Sequence, residues 1–355
     1  MNSFQARLIC VVAVLAVVDA FTGAPLGLGR RAASRSALQM LGSALIVQNK
    51  GGGHGEIGFH LAKILKEEKG CDAVTILQDG GEPSGKLPFS RYGELEALGC
   101  EVVWCDVKGE GVARLAGKKF DYVFDNWSKD EATVKPIADM AKAQNVETFA
   151  YVSSGGMYKY PPTLPITEDA DAKETGQREV EKYLDAAGLP WTAFRPQYIY
   201  GPATNKRDYL DYFVDRISRD QPVPIPHSGE QLASVTHAYD VAAMLAAATA
   251  NPKAAKQVFN CGTDAYLTYN EIARQIGKAL GKEARLVHYD PAQCPDLKFP
   301  FRPQHFFVGV GKAMRELGWA PKHNLIDDLS AFYLADYKAL GKDAQAMDFP
   351  ADPKA

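Results

Sequence analysis

Short runs of β-branched and aromatic residues alternate with helical segments from Ala44 onward, and this alternation limits the possible folds more than any other feature. Six runs read as strands: ALIVQN, AVTILQ, EVVWC, DYVFDN, TFAYVSS and WTAFRP. Helices are predicted between them at about 56–69, 130–145 and 173–184. Strands that alternate with helices form a parallel sheet with helices on both faces. The sequence therefore predicts an α/β fold with a doubly wound parallel sheet.

The second half of the chain is less regular and predicts a smaller, mixed domain. Helices are expected at about 206–219, 240–250, 268–280 and 325–340, with the runs PVPIP and LASVTH between them. We divide the chain into a presequence (1–40), a dinucleotide-binding-like domain (41–204), a smaller ligand domain (205–345) and a tail (346–355). No internal repeat is seen in the sequence after residue 40.

A glycine-rich turn joins the first predicted strand to its helix in KGGGHGEIGFHLAKIL. Gly52, Gly55 and Gly58 have the spacing typical of a Rossmann-type turn. There the first glycine allows a tight turn, the second lets a pyrophosphate approach and the third lets the helix pack closely. N–H groups at the start of the helix would bind the anion. The turn thus predicts NAD(P) as a cofactor, and a turn kept only for packing is the alternative.

A dinucleotide site also needs an acid near the end of the second strand to bind a ribose hydroxyl. Gln78 and Asp79 compete for this position. Asp79 is the candidate ligand, but the register of AVTILQ favours Gln78, which would weaken the contact.

Residues 1–40 have the composition of a targeting presequence. An apolar run from Leu8 to Val18 follows one arginine and is too short to span a bilayer. Residues 22–40 contain three arginines among serine and alanine and no acid, as in a transit peptide. The two parts resemble the address of proteins imported into plastids bounded by extra membranes. We expect a location in the plastid stroma without stable membrane insertion, and a secretory signal with a flexible spacer is the alternative.

Charge and cysteine content exclude several classes of protein. The first 40 residues carry four basic residues and one acid, so the net charge of −3 becomes −6 without them. This charge is not that of a general polyanion binder. Five of the six cysteines remain, and no Cys-x-x-Cys pair occurs. Neither a disulfide framework nor a metal site is predicted, and a need for a divalent metal is left open.

Several later segments resemble the extended short-chain dehydrogenases, the group of sugar-nucleotide epimerases and dehydratases. They lie in order at the right separations and cover nearly all of residues 44–340. The segments are Ser153-Ser154-x-x-Met157-Tyr158, Phe194-Arg195-Pro196-x-x-Ile199-Tyr200-Gly201-Pro202, Val235-Thr236-His237-x-x-Asp240-Val241, Phe259-Asn260-x-Gly262 and Glu316-Leu317-Gly318-Trp319.

The resemblance implies a catalytic serine followed by a Tyr-x-x-x-Lys pair, in which the ammonium lowers the pKa of the phenol. Ser154 matches the serine. Lys173 replaces the tyrosine and Gln177 replaces the lysine. Because the first position has no phenol and the second has no ammonium, epimerase or dehydrogenase chemistry by the family route is not expected. Trp127, where the family has small residues, would fill cofactor volume or else point to the surface.

With these departures, the chain resembles a narrower family, the chloroplast stem-loop binding proteins, which are atypical relatives of the dehydrogenases. The match extends over most of the chain after residue 40. Its segments are Gly52-Gly53-His54, Ile57-Gly58-Phe59, Asp125-Asn126-x-x-Lys129-Asp130, Tyr158-Lys159, Phe194-Arg195-Pro196-Gln197-Tyr198, Asn205-Lys206, PVPIP, Val287-His288-Tyr289-Asp290-Pro291 and Phe301-Arg302-x-x-His305-Phe306. The resemblance implies binding and processing of plastid ribosomal or messenger RNA, association with ribosomes, and possible endonuclease activity. It identifies no RNA contact or cleaving residue.

RNA recognition needs cations for phosphates and aromatic faces for unpaired bases. Residues 205–220 offer both, but their apolar stripe and charges favour an ordinary amphipathic helix. A second candidate contains Lys298, Arg302 and His305 among phenylalanines. His54 is either a phosphate contact or a polar turn residue, and the segment of His237 and Asp240 is expected to be structural.

Three hypotheses follow from these patterns. The leading one is a plastid RNA-binding protein on a dehydrogenase scaffold. The second is an NAD(P)-dependent epimerase, dehydratase or reductase whose acid/base group has moved to Tyr158 or Tyr200. The third is a regulator that binds NADP(H) without chemistry. The sequence leaves the oligomeric state open.

Overall fold

A computed structural model describes residues 42–49, 54–81, 85–160 and 163–349 of the chain. Its strands are β1 Ser43–Gln48, β2 Ala73–Asp79, β3 Glu101–Cys105, β4 Tyr122–Asn126, β5 Thr148–Val152, β6 Trp191–Pro196, β7 Ile199–Tyr200, β8 Val223–Pro226, β9 Leu232–Ala233, β10 Thr236–His237, β11 Gln257–Cys261, β12 Leu267–Thr268 and β13 Leu286–Tyr289. The helices are α1 Gly55–Glu67, α2 Gly93–Ala97, α3 Glu131–Gln144, α4 Gly176–Ala186, α5 Asp208–Ser218, α6 Ala238–Ala247, α7 Tyr269–Leu280, α8 Gly311–Leu317, α9 Leu325–Asp328 and α10 Leu334–Ala339.

Seven parallel strands form one sheet in the order β11-β6-β5-β4-β1-β2-β3. The order runs outward in both directions from β1, which is the doubly wound arrangement of a Rossmann-type fold. All six strands predicted from the sequence are present. The seventh, β11, was not predicted and pairs with β6 at one edge.

The central strand shows why the sheet is covered on both faces. Ala44 and Ile46 belong to a core shared with α1 and α6, whereas Leu45 and Val47 belong to a core shared with α3 and α4. Alternate residues of a strand point to opposite faces, so a continuous apolar run requires helices on both. Each fully buried valine, leucine or isoleucine side chain contributes about 1.5–3 kcal/mol.

Local caps determine where two of the predicted helices begin. Asp130 and Thr133 form a reciprocal capping box at the start of α3. This start agrees with the one predicted from the sequence, at about residue 130. The helix predicted at 173–184 begins later, at Gly176. The Thr175 side chain there accepts a hydrogen bond from the Arg178 N–H at 3.2 Å.

The second half packs α5, α7 and the C-terminal helices around an aromatic core that includes Phe213, Tyr269 and Tyr333. Three two-stranded pairs, β10–β7, β12–β9 and β13–β8, connect these elements. The helix predicted at 325–340 is interrupted by a π-helical turn at Leu329–Tyr333, which separates α9 from α10.

The predicted presequence, 1–40, lies outside the described residues. Among the helices that the structure does describe, none is both long and apolar enough to cross a bilayer.

Candidate functional site

The carboxyl ends of β1, β4, β5 and β6 border a cleft of about 620 Å³, the place where open α/β sheets bind ligands. Its wall contains aromatic side chains and two cations. The residues that matter below are Trp127, Lys129, Tyr198, Tyr209, Phe301, Arg302 and Phe306. Lys129 is exposed, and its position just after β4 is the sequence signal that could have identified it as a cleft cation.

Close packing explains why two of the three glycines after β1 are glycines. A Cβ at Gly55 would lie 3.2 Å from the Phe89 ring, and a Cβ at Gly58 would lie 2.6 Å from the Gln48 amide. Gly52 lies outside the described residues. The packing alternative therefore accounts for Gly55 and Gly58, and a role for them in cofactor binding stays a prediction.

A buried carboxylate lies at the start of α1. Glu56 Oε1 accepts a hydrogen bond from Thr204 Oγ1 at 3.1 Å and lies 3.2 Å from His54 Nδ1. Glu56 is fully buried, and its Oε2 has no hydrogen-bond partner among the described residues. A carboxylate is favoured at a helix N-terminus, the position that the family fold offers to a pyrophosphate. Its charge therefore opposes an anionic ligand there.

The end of β2 uses both candidate ribose ligands for internal contacts. The Gln78 amide donates to the Asn49 carbonyl at 2.6 Å and accepts from the Tyr92 hydroxyl at 2.8 Å. Asp79 Oδ1 accepts a hydrogen bond from the Val107 N–H at 3.2 Å. Asp79 is thus held towards the loop after β3, and its assignment as a ribose ligand stays a prediction.

The turn after β4 holds the indole in the cleft wall. Asp125 Oδ1 accepts hydrogen bonds from the Trp127 and Ser128 N–H groups, each at 2.9 Å. Burial raises the pKa of Asp125. Trp127 is half-buried and packs on the core behind the sheet while it also lines the cleft. The indole therefore contributes an aromatic face to the cleft and does not point away from the protein.

The two serines after β5 have different partners. Ser154 Oγ accepts a hydrogen bond from the Gly156 N–H at 3.0 Å, and Ser154 lines the cleft. Ser153 donates to Glu181 Oε1 at 2.7 Å. A catalytic role for Ser154 stays a prediction.

The structure corrects the expected placement of Lys173 and Gln177 one turn apart on one helix. Because α4 begins at Gly176, Lys173 lies in the preceding segment. Its backbone N–H donates a hydrogen bond to the Met157 carbonyl, and its side chain is exposed. Gln177 is in the first turn of α4 and lines the cleft. The two side chains therefore do not form a pair.

The hydroxyls of Tyr158 and Tyr200 are used in buried contacts and do not line the cleft. Tyr158 donates to Asn260 Oδ1 at 2.6 Å and accepts from Arg195 at 3.0 Å, and burial raises its pKa to about 12. Tyr200 donates to Asp328 at 2.7 Å, and burial together with that carboxylate raises its pKa. Neither phenol is placed to replace the missing acid/base group.

Beneath the cleft, Glu181 is the centre of a buried polar network. Its carboxylate accepts hydrogen bonds from Ser153, from Arg178 at 2.6 Å and twice from Arg195, at 2.6 and 2.9 Å. Burial alone would raise the pKa of Glu181, but the bonds from Arg195 outweigh it and hold that pKa below its usual range. The network joins β5, β6 and α4, and through Tyr158 it reaches Asn260 in β11.

Most cations of the first RNA candidate, 205–220, have structural partners. The Arg216 guanidinium lies 3.8 Å from the Tyr212 ring centroid, and Arg219 donates to backbone carbonyls of the C-terminal segment. The apolar stripe of α5 is buried, which confirms the predicted amphipathic helix.

The three basic residues of the second RNA candidate lie in different surroundings. Arg302 lines the cleft, with its guanidinium 3.8 Å from the Phe306 ring centroid. His305 Nδ1 instead accepts a hydrogen bond from the Leu232 N–H at 3.0 Å. Lys298 is exposed outside the cleft wall.

His237, His323 and Asp328 have donor atoms within 4.8 Å of one another, as a metal site would. However, His237 Nδ1 accepts a hydrogen bond from the Tyr239 N–H at 3.1 Å, so the proton of the neutral ring is on Nε2. Neither nitrogen then offers a lone pair to a cation. Asp240 accepts hydrogen bonds from the Lys322 and His323 N–H groups, which gives this segment structural partners, as expected.

Comparisons with known proteins agree with this fold. The profile of the NAD dependent epimerase/dehydratase family matches residues 51–262. The chloroplast stem-loop binding protein of 41 kDa b of Arabidopsis thaliana is 32% identical over 316 residues, which cover 85% of this chain and 82% of that protein. The chain belongs to the chloroplast stem-loop binding protein family, within the NAD dependent epimerase/dehydratase family.

More distant relatives share the fold. A UDP-glucose 4-epimerase of Corynebacterium glutamicum is 23% identical over 321 residues, covering 79% of this chain and 94% of the relative. The crystal structure of UDP-glucuronic acid 4-epimerase from Bacillus cereus in complex with NAD has a TM-score of 0.66 at 19% identity. It covers 84% of this chain and 99% of that one.

The described residues fit the family's dinucleotide only in part. A helix begins directly after the turn at β1, as the family site requires. Glu56 places a carboxylate at this helix start, and Gln78 is turned towards Asn49. Of the two residues predicted to replace the acid/base pair, Gln177 lines the cleft and Lys173 does not. No hydride-coupled proton transfer is assigned to these residues.

Proposed function

We propose that this protein is a plastid RNA-binding protein that holds an unpaired nucleotide of structured RNA in the cleft. The observation that carries the proposal is the composition of the cleft wall, which contains several aromatic side chains together with the cations Lys129 and Arg302. Aromatic faces stack on unpaired bases, and cations contact the phosphates on either side.

The rings of the cleft are held in place by one another. The Tyr198 ring centroid lies 4.7 Å from that of Phe301 and 5.1 Å from that of Tyr209. The Tyr198 hydroxyl also accepts a hydrogen bond from the Arg302 N–H at 3.1 Å. Rings fixed in this way bind a base with little loss of side-chain entropy.

Gln197 lies at the edge of the same cleft, and its buried amide has no hydrogen-bond partner in the described chain. An unsatisfied buried amide costs about 1–3 kcal/mol. A polar ligand that reaches this amide would recover part of that cost, which supports a ligand with hydrogen-bonding edges such as a nucleobase.

The name of the relative supports the RNA and plastid parts of the proposal. That protein is named as a chloroplastic stem-loop binding protein. The composition of residues 1–40 independently favours import into a plastid. Ribosomal and messenger RNA are the proposed ligands, with ribosomes as proposed partners.

Lys129→Glu is expected to weaken binding of the purified protein to stem-loop RNA about tenfold, because an exposed cation at the cleft becomes an anion. Fluorescence anisotropy over a series of salt concentrations measures the change. Lys119→Glu is the matched control. Lys119 is an exposed lysine that precedes β4 at the amino end of the strand, whereas the cleft lies at the carboxyl end. Absence of any salt-dependent RNA binding by the wild-type protein would refute the proposed function.

RNA cleavage is a finer part of the proposal, and His54 is its candidate residue. His54 lines the cleft, and its Nδ1 lies 3.2 Å from the buried Glu56 carboxylate, which would orient the ring. A histidine held in this way can accept the proton of a 2′-hydroxyl. Denaturing gels of RNA incubated with the wild type and with His54→Gln report cleavage, and equal product from both would exclude His54.

Dinucleotide binding without chemistry is the second candidate function, favoured by the helix that begins after the turn at β1. Because Glu56 opposes a pyrophosphate there, Glu56→Gln is expected to bind NADPH about tenfold more tightly than the wild type. Quenching or enhancement of NADPH fluorescence measures this change. Equal affinity of the two proteins would show that the carboxylate does not control the site.

A further inference from the structure

A second cavity, of about 920 Å³, lies beside the segment that connects β7 to α5. Three parts of the chain form it: the loop after β2 (85–91), the connection 203–208 and the C-terminal residues 336–345. None of the residues predicted as cofactor ligands lines this cavity, and it shares no residue with the cleft.

Among the described residues of its wall, basic side chains outnumber acids. The cations are Lys86, Arg91, Lys206, Arg207 and Lys342, and the acids are Asp208 and Asp336. For a chain of net negative charge, this is a local concentration of positive charge.

Arg207, Lys342 and Arg91 form structural ion pairs. Arg207 and Lys342 share the carboxylate of Asp211, at 3.1 and 2.6 Å, so one negative charge is matched to two positive ones. Arg91 pairs with Glu94 at 2.7 Å. These three cations fix the shape of the wall and contribute to its positive potential.

Two further cations, Lys86 and Lys206, line the cavity. Lys86 is exposed, and Lys206 is half-buried. Lys206 forms no ion pair with any described carboxylate. Its Nζ lies 5.5 Å from the ring centroid of Tyr209.

The Lys206–Tyr209 contact links the two cavities. Lys206 lines the basic cavity, whereas Tyr209 lines the cleft. A strand of RNA whose base stacks in the cleft would therefore continue over this contact into the basic cavity.

We propose that the basic cavity binds the phosphate backbone of the RNA whose unpaired nucleotide occupies the cleft. The inference rests on the proposed function. The cations come from three separate parts of the chain. The two that converge on one atom, Arg207 and Lys342, do so on the Asp211 carboxylate, which already fills the place of a single anion there. Charge spread in this way suits a polyanion, which releases counterions along its length.

Lys86→Glu/Lys206→Glu tests the inference with stem-loop RNA as the probe. We expect about tenfold weaker binding, and a plot of the logarithm of affinity against the logarithm of salt concentration whose slope is smaller by about two, one for each lysine. Lys119→Glu/Lys253→Glu is the control with the same charge change. Lys119 and Lys253 are exposed lysines that precede β4 and β11, at the amino ends of strands of the sheet. Thermal unfolding of both double variants confirms that they fold.

The outcomes separate this inference from the proposed function. Unchanged affinity and slope in the Lys86/Lys206 variant, with RNA still bound by the wild type, would overturn the inference alone. An equal loss in the control variant would overturn it as well, because the effect would then follow net charge. Competition by inorganic phosphate at the same ionic strength would indicate a site for a single anion and contradict a polyanion groove. No binding of RNA by the wild type would remove both proposals.

Discussion

Glu181→Ala is expected to lower the free energy of unfolding by about 3–5 kcal/mol. The carboxylate is almost fully buried and accepts hydrogen bonds from Ser153, Arg178 and Arg195. Its removal leaves the Arg195 guanidinium, only 3% exposed, as a buried charge without its partner. Urea unfolding followed by circular dichroism, at neutral pH, measures the loss.

Two further variants distinguish the broken pair from the lost packing. Glu181→Leu/Arg195→Met removes both charges and is expected to recover most of the stability, because no buried charge remains unpaired. Asp139→Ala breaks the exposed Lys135–Asp139 pair, at 3.1 Å, and should cost less than about 1 kcal/mol. A loss below about 1 kcal/mol for Glu181→Ala would contradict a structural role for the network.

The same network fixes the position of α4 beneath the cleft. Glu181 lies on α4, the helix that begins at Gly176, and ties it to β5 and β6 beneath the cleft. The exposed Lys173 has no part in these contacts, and Gln177 only lines the cleft above them. The helix position is therefore fixed from below, and the upper residues are free to differ from the family pattern.

The strands of the sheet could be predicted because each one is a continuous apolar run between polar turns. Burial on both faces leaves this pattern in the local sequence, as β1 illustrates. β11 was missed because its pairing with β6 depends on residues far away in the sequence, which a local pattern does not reveal.

Helix ends were harder to predict than helices. Residues 173–184 were predicted as one helix, but the Thr175 side chain caps it, so that it begins at Gly176. The last helix is divided by a π-helical turn at Leu329–Tyr333, in which Leu329 and Tyr333 are buried. The spacing of apolar residues along the sequence does not reveal such changes in backbone geometry.

The site could be predicted only where a motif carries it. Spacing alone predicts Gly55 and Gly58 as cofactor ligands, and that role stays a prediction. The replacement of the acid/base pair by Lys173 and Gln177 was inferred from the family motif and also stays a prediction. The cations of the basic cavity come from three distant parts of the chain, so no window of sequence contains them together. For Gln78 and Asp79 the motif predicts the position in the sequence. It does not reveal the hydrogen bonds that these side chains form within the protein.

Acidification to about pH 5 is expected to cost about 2 kcal/mol of stability through His237 alone. Burial and the neighbouring His323 lower the pKa of His237 to about 2 in the folded protein. Below its unfolded pKa of about 6.5, the unfolded chain binds a proton that the folded protein excludes. Stability is therefore fully present above this pH and falls as the pH is lowered towards 5. Urea unfolding at about pH 7.5 and about pH 5 measures the difference.

His237→Asn is expected to remove this acid-dependent loss, because asparagine retains an acceptor for the Tyr239 N–H at the start of α6 and does not titrate. His227→Asn changes an exposed histidine and should keep the wild-type loss. His323 stacks on His237 at 3.8 Å between ring centroids, so a charge on His237 would also disturb its contact with Asp328. If His237→Asn loses as much stability on acidification as the wild type, the acid sensitivity belongs to other groups, and the buried neutral state of His237 contributes nothing to it.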